Sequence, residues 1–585
     1  MIVSFVSHKW MSCKSSVCEG IAAGQVAPEL GSPRQGSISP SLFRRVSVMQ
    51  ASSTRGGAAS ALAPLMLVWL AAAAPDPTPT TQADLDVPMT RSVLLTAMEF
   101  LSSRTLAPHT AKEFSLWGLG GISALDPGLH VEERGHAVTL LSGQTATLSR
   151  DEPAEGDLRG WAELDTALLA NAWTQSGTIR AAHADGVVQS FFDELFNHLD
   201  PYSRYVGPAP AKTDREERSG GDGEIGVSLG EDTTVSSGGR RRVRHEREII
   251  VTAVNANGPA WPAGVDIGER LISVDGRSVA GRAPTEIEQS LRGAPNSVVT
   301  LRLAPPLGGA ARNVSLRRAQ VPPETVFAFA SDPLVVLRIT SFSSDTAEEM
   351  SQYLDQAAQD GRMRGLVIDL RGNRGGVLQQ AVTAAALLMD LGVAVVTQGR
   401  DPQSNHIWAV QGGDMTNGAP IAILVDGRTA SAAEILAAAL SDHRRAVVIG
   451  SATLGKGLVQ TVAQLPDGGE LFVTWSRVIA PLGWPLQGLG VMPQICTSRG
   501  AADAQRQMDA LRAGRALDSR SVVRSREVRL PDSVSQLLDI RKACPAALGG
   551  DNDLDQARAL LGDRTAYRAA LEMVPEGTQT AAPKE

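Results

Sequence analysis

Three short stretches of this 585-residue chain carry residue types that do covalent chemistry when held together. In Thr429-Ala430-Ser431-Ala432-Ala433-Glu434-Ile435-Leu436, an Ala/Leu-rich helix pattern follows the apolar run Ile421–Val425. Ser431 therefore falls at a strand-to-helix turn. Unpaired N–H groups and the positive end of the helix dipole collect there and favour a developing oxyanion. An N-cap serine belongs at the same place, so Ser431 alone decides nothing. Lys456, in Thr453-Leu454-Gly455-Lys456-Gly457, follows 25 residues later. A lysine serves as general base only when burial or a nearby cation lowers its pKa. A phosphate loop is excluded, because Gly457 stands where GxxxxGK[ST] needs Ser or Thr. The third stretch is Asp369-Leu370-Arg371-Gly372-Asn373-Arg374-Gly375-Gly376. A Gly-Gly turn leaving a strand can point N–H groups outward, and each such oxyanion donor is worth about 3–4 kcal/mol. An ordinary strand-to-helix turn has the same composition.

Histidine offers a competing base. His443 closes the Ser431 helix, about 18 Å along it at 1.5 Å per residue, too far for proton transfer. It reads as a cation at the helix carboxy terminus.

The elements that must position these groups alternate from about residue 325. Strands are expected at 333–340, 365–370, 393–398, 420–426 and 446–450, with helices at 345–360, 376–391 and 430–441. This is a mixed α/β core, residues 321–500. Residues 85–215 read as a helical region, with a linker at 207–222. Residues 220–320 hold short strands at Ile225–Leu229, Ile249–Val254, Leu271–Val274 and Val298–Leu303, and a helix at Pro284–Leu291. Residues 501–585 read as a carboxy-terminal extension without nameable chemistry.

Residues 58–74 form an uncharged apolar run after Arg55, ending in alanines. That is the layout of a signal peptide, 49–74, with an uncleaved anchor as the alternative. Residues 1–48 read as a leader and 75–84 as a linker. An exported protein, periplasmic or anchored facing the periplasm, is expected. Net charge is -8, so a nucleic-acid footprint has no support. The run Arg240-Arg241-Arg242 follows Ser-Ser-Gly-Gly and reads as a solvated loop. No metal-ligand spacing is present and no cofactor is expected. Cys496 and Cys544 remain as an even pair, suited to a disulfide in an oxidising compartment.

Taken in order, these segments resemble the carboxy-terminal processing peptidases, also called tail-specific proteases, over about residues 85–495. Asp369–Gly376 is similar to that family's DLRxNxGG, Ser431 to the serine of its (S)ASxxEI element, and Lys456 to the lysine of T-x-G-K-G. Leu199-Asp200-Pro201-Tyr202-Ser203-x-Tyr205, Thr474-x-x-Arg477 and Gly488-x-Gly490-Val491-x-Pro493 match further signatures. The resemblance implies a crotonase/Clp protease-like ββα peptidase core with an inserted PDZ domain. It implies a Ser431–Lys456 endopeptidase, with Gln460 orienting the lysine and Gly375, Gly376 and Ala432 forming the oxyanion hole. It also implies that Gly223-Glu224-Ile225-Gly226-Val227 captures a carboxylate, so that substrates are recruited by their tails. Partners are then protein substrates, with room for a homo-oligomer or an adaptor. The alternative is an inactive PDZ-based adaptor that kept a protease fold. The chain departs from the pattern at Arg374 (for proline), Arg428-Thr429 (for Gly-Ser), Val478-Ile479 (for aromatics) and Gln494 (for Asp). A polar insert at 230–246 also departs from it.

Overall fold

In the computed structural model, residues 84–576 are described, apart from 220–221, 237–243, 256, 307–308, 332–333, 360–362 and 531–532. The leader, signal and most of the linker expected at 1–84 lie outside the described residues. The first helix, α1 (Val87–Arg104), starts where Asp86 accepts from Met89 N, and it buries Val93, Leu94, Ala97, Met98 and Leu101. A Thr110–Glu113 capping box opens α2 (Ala111–Leu125).

The chain then departs from the expected helical region. Residues Leu129–Arg134 (β1), Ala137–Ser142 (β2) and Thr145–Asp151 (β3) form an antiparallel meander. Its two-residue turns place Gly135 and Gly143 at φ 68° and 60°. Gly-X between short alternating runs is a hairpin signal that the helical reading passed over. Helices α3 (Leu158–Gln175), α4 (Gly177–Ala181) and α5 (His183–Asn197) follow, then β4 (Arg204–Val206). The expected linker at 207–222 instead carries α6 (Pro208–Ser219). Proline at its start fits an N-terminal turn, and the charged residues after it are good helix formers. Arg215 of α6 reaches Glu470 at 3.0 Å. Trp161, Phe114, Phe191 and Phe192 make this region's core, which also takes in Leu465, Leu471 and Val473.

Strands β5 (Val227–Ser236), β6 (Arg244–Val254), β7 (Arg270–Val274), β8 (Arg277–Ser278), helix α7 (Pro284–Leu291), β9 (Val298–Ala304) and β10 (Arg312–Arg317) form the next unit. The sheet order is β10-β9-β7-β6-β5, with β8 on β7. Much of the polar insert is paired backbone: β5 and β6 run together as far as Ser236 opposite Arg244. Asn257 after β6 donates to Glu349 at 2.8 Å, and Asn255 donates to the Pro322 carbonyl at 3.0 Å.

The core follows as β11 (Val326–Ser331), β12 (Leu334–Ile339), α8 (Thr346–Gln359), β13 (Leu366–Asp369), α9 (Leu378–Ala386), β14 (Leu391–Gln398), β15 (His406–Gln411), β16 (Ile421–Val425), α10 (Ala432–Asp442), β17 (Ala446–Gly450), β18 (Leu458–Gln464), β19 (Glu470–Ile479) and β20 (Ile495–Cys496). The main sheet runs β11-β12-β13-β16-β17-β20 and is parallel from β12 onward. A second sheet runs β15-β14-β19-β18, with β4 on β19. The helix expected at 376–391 is shorter: it ends at Ala386, and residues 387–390 turn the chain into β14.

Parallel strands are covered on both faces, and β16 shows it. Ile421, Ile423 and Val425 pack with α9 and α10. Ala422 and Leu424 point the other way, onto Met508, Leu511, Val522, Ala557, Leu560, Ala566 and Ala570. Those residues belong to α11 (Ala501–Arg512), α12 (Ser519–Glu527), α14 (Asp551–Leu561) and α15 (Arg564–Leu571), with α13 (Val534–Arg541) between. The expected extension at 501–585 is thus, over its described residues, the layer that buries the second face of the sheet. Arg526 of α12 pairs with Asp442 at the end of α10 at 2.8 Å, both fully buried. Cys496 and Cys544 form a disulfide that ties β20 to the segment after α13.

Candidate active site

Five consecutive buried residues carry β16 into the sheet, and the chain must then turn sharply to start α10. Ser431 makes that turn at φ 56°, ψ −120°. An ordinary N-cap residue sits in the β region, so the strain here is not that of a cap. It is the conformation of a strand-to-helix elbow that lifts a side chain clear of the backbone. The turn is held from three sides. Asp426 accepts from Gly372 N, Arg428 N and Thr429 N at 2.9–3.0 Å. Thr429 Oγ1 donates to the Leu370 carbonyl at 2.9 Å. From the carboxy-terminal layer, the Ala547 carbonyl accepts from Gly427 N at 2.8 Å.

The glycine loop after β13 reaches the same turn. Asn373 anchors it: its side-chain amide donates to Ile339 O at 2.8 Å, and its carbonyl accepts from Ala430 N at 2.9 Å. A Cβ on Gly375 would lie 2.7 Å from Ser431 Cβ and 2.9 Å from Ala432 N. Only glycine fits so close, and at φ 93° only glycine is unstrained. The expected oxyanion group needs one correction. Gly375 N is turned inward to Asn373 Oδ1 at 2.8 Å and is not free. Gly376 N and the first helical amide, Ala432 N, are the two that no hydrogen bond engages among the described residues.

Glu434, one turn into α10, is the residue whose role sequence reasoning missed. It is fully buried. Its Oε2 accepts from Ser431 N at 2.7 Å and Lys456 N at 3.0 Å. Its Oε1 accepts from Gly455 N at 2.7 Å and from Thr453 Oγ1. Burial pushes this carboxyl up, against those four hydrogen bonds. Arg541 of α13 is close enough for its charge to feel Glu434. The Ser-x-x-Glu spacing is a capping-box pattern and could have drawn attention to it.

Lys456 is half-buried. Burial first, and the Arg204 charge second, hold its ammonium below the usual lysine range, while Asp200 and Glu434 oppose that shift. Its Nζ lies 5.0 Å from the centre of the Tyr202 ring. Tyr202 lies on the segment before β4, which Asp200 folds tightly, and Arg204 is the first residue of β4. Asp200 accepts from Tyr202 N, Ser203 N, Ser203 Oγ and Thr474 Oγ1 at 2.5–3.1 Å. Gln460 stands opposite Thr474 across β18 and β19. Its amide nitrogen donates to Thr474 Oγ1 at 3.0 Å and Leu458 O at 3.2 Å. The structure therefore does not place Gln460 in hydrogen-bond contact with Lys456, and no hydrogen bond joins Ser431 to Lys456. His443 caps α10 and bonds Val393 O at 2.8 Å, away from Ser431. No metal-ligating cluster occurs among the described residues.

A profile of Peptidase family S41 matches residues 334–497, the stretch that holds β12 to β20. A PDZ-domain profile matches residues 250–305. The carboxy-terminal processing protease CtpA of Bacillus subtilis is 30% identical over 363 residues, covering 61% of this chain and 73% of that protein. The chain belongs to the carboxy-terminal-processing protease family. A family member from Bartonella bacilliformis, the carboxy-terminal-processing protease, is 29% identical over 313 residues, 53% of this chain and 69% of that one. The probable CtpA-like serine protease of Staphylococcus haemolyticus is 29% identical over 321 residues, and this chain spans 60% of its length. Among solved structures, a photosystem II D1 C-terminal processing protease shares 25% identity over 67% of this chain and 97% of its own, with a TM-score of 0.33. As a family member the protein is a serine-type peptidase, with a PDZ domain ahead of its catalytic core.

Proposed function

We propose that this carboxy-terminal-processing protease cuts exported proteins near their carboxyl termini with a Ser431–Lys456 pair. One observation carries the pairing: the Glu434 carboxylate binds the backbone of both residues and so fixes their loops to each other. Neutral Lys456 takes the Ser431 Oγ proton as Oγ bonds to the scissile carbonyl carbon. Ala432 N and Gly376 N hold the oxyanion that forms. Collapse breaks the C–N bond, and Lys456 returns its proton to the leaving amine. Water then releases the acyl group, with Lys456 again as base. Gln460, whose side-chain oxygen takes no part in the Thr474 and Leu458 contacts, is assigned to orient Lys456 when substrate is bound.

The PDZ domain is proposed to recruit tails by strand addition to β5. Export is supported by the apolar segment at 58–74 and by the Cys496–Cys544 disulfide, a bond that persists in oxidising compartments. The test is cleavage of an unstructured polypeptide by purified wild type and Lys456→Ala. Loss of cleavage with an unchanged circular dichroism spectrum is expected. Cleavage by the variant at the wild-type rate overturns the pairing.

A further inference from the structure

The groove between β5 and α7 holds a carboxylate where a peptide backbone would pair. β5 is the edge strand of its sheet, so its outward amides are open to an added strand. One of them, Leu229 N, instead donates to Glu288 Oε1 of α7 at 2.7 Å. The surroundings are apolar: Ile225, Leu229, Ile287 and Leu291 are all buried in this domain's core. Among the described residues no cation lies within ion-pair distance of Glu288. Arg318 donates to the carbonyls of Ser290, Leu291 and Val298 and to Ser297 Oγ. Arg292 lies 3.8 Å from the second acid of the region, Glu224. Glu224 stands in the loop Gly223–Val227, and its own amide is engaged by the Ala319 carbonyl at 2.8 Å. Burial raises its pKa, and the charge of Glu288 adds to that shift.

A strand that adds to β5 must take the Leu229 amide from Glu288. The displaced carboxylate then faces an apolar groove and a bound backbone. Glu288 is part-buried, so leaving its carboxylate unpaired against the bound strand is unfavourable, and an acidic side chain on the incoming tail beside Glu224 and Glu288 is worse. A cation on the incoming peptide resolves both. We infer that the β5–α7 groove selects tails bearing a lysine or arginine near the carboxyl terminus, with Glu288 as the residue that reads it. The inference rests on the proposal that this domain recruits substrate tails, and it names their chemistry. Glu288 thus has two states: closed on Leu229 in the free enzyme, and paired with the basic side chain in the complex.

The test uses the full chain carrying Ser431→Ala, so that peptides are not cut. Fluorescence anisotropy compares a labelled peptide with Lys in its last three positions against the same peptide with Met there. The lysine peptide is expected to bind roughly five- to tenfold tighter, the scale of one partly desolvated ion pair. Glu288→Gln, which keeps the side chain's shape and helix, should abolish that preference while the Met peptide binds as well as before or better. Equal binding of both peptides to the unsubstituted groove overturns the inference and leaves tail recruitment standing. A lysine preference that survives Glu288→Gln overturns it too. No binding by either peptide overturns both the inference and the recruitment it rests on.

Discussion

Ser431 and Lys456 donate their backbone amides to the same oxygen: Glu434 Oε2 lies 2.7 Å from one nitrogen and 3.0 Å from the other. The two residues are 25 apart in sequence and belong to different turns. A buried carboxylate with four donors fixes the distance between those turns more firmly than any surface contact would. The proposed nucleophile and its proposed base are thus positioned by a residue that need not touch substrate.

Replacing Glu434 should separate the two turns. Glu434→Ala leaves three amides and a hydroxyl without their acceptor. At about 1–3 kcal/mol for each buried unsatisfied group, a loss of several kcal/mol is expected. Thermal unfolding should show a large drop in Tm, with peptidase activity lost before the fold is.

Lys456 has a depressed pKa, so its charged form is disfavoured in the folded state. The unfolded chain therefore binds the extra proton more readily. The stability penalty is full below the folded pKa and fades as pH rises from there to the ordinary lysine value. Lys456→Met should raise Tm at neutral pH, with the gain shrinking toward pH of about 10. The same substitution should abolish activity. A Tm gain without loss of turnover would separate the buried charge from catalysis.

Asp165 lies fully buried in the amino-terminal core, bonded to Ser115 through one oxygen, while the other has no partner. Burial pushes its carboxyl up to about 8. The folded state thus holds a proton that the unfolded chain releases above about 4. Its contribution is present below that value and is lost as pH rises toward 8. Chemical denaturation across this range should show falling stability, and Asp165→Asn should flatten the slope.

Gly375→Ala places a methyl 2.7 Å from Ser431 Cβ and 2.9 Å from Ala432 N. The clash falls on the groups that would hold the oxyanion and not on a remote binding surface. Steady-state kinetics should show kcat falling by about two to three orders of magnitude, the scale of a lost oxyanion donor, with KM little changed.

Truncation after residue 500 removes the helices that cover Val336, Val367, Leu424, Val447 and Ile449. It also removes the Ala547 carbonyl behind Gly427 and the Arg526 partner of buried Asp442. An unpaired buried charge and a bare sheet face are both strongly destabilising. The truncated chain should be insoluble on expression, as sedimentation would show.

The alternating core was legible because β16 and β17 are short, wholly apolar runs before helix signals. Ser431 and Lys456 stood out by type and by their glycine neighbours. Glu434 did not, since a glutamate in a helix's first turn is ordinary and only burial reveals its four partners. Tyr202 and Arg204 were hidden for another reason: more than 200 residues separate them from Lys456, and only the β4–β19 pairing brings them near. The role of residues 501–576 was illegible because helical periodicity shows an apolar face but not what it covers. The β1–β3 meander was missed where helix-forming residues on either side outweighed two Gly-X turns.

Lys456 is proposed to remove the Ser431 proton as the hydroxyl attacks. The rate at which a serine-directed fluorophosphonate labels Ser431, followed against pH in wild type and Lys456→Met, tests it most directly. The wild-type rate is expected to rise with pH to a plateau, with a midpoint below the ordinary lysine value, and the variant to be labelled negligibly throughout. Labelling of Lys456→Met at the wild-type rate, with the same pH dependence, would contradict it.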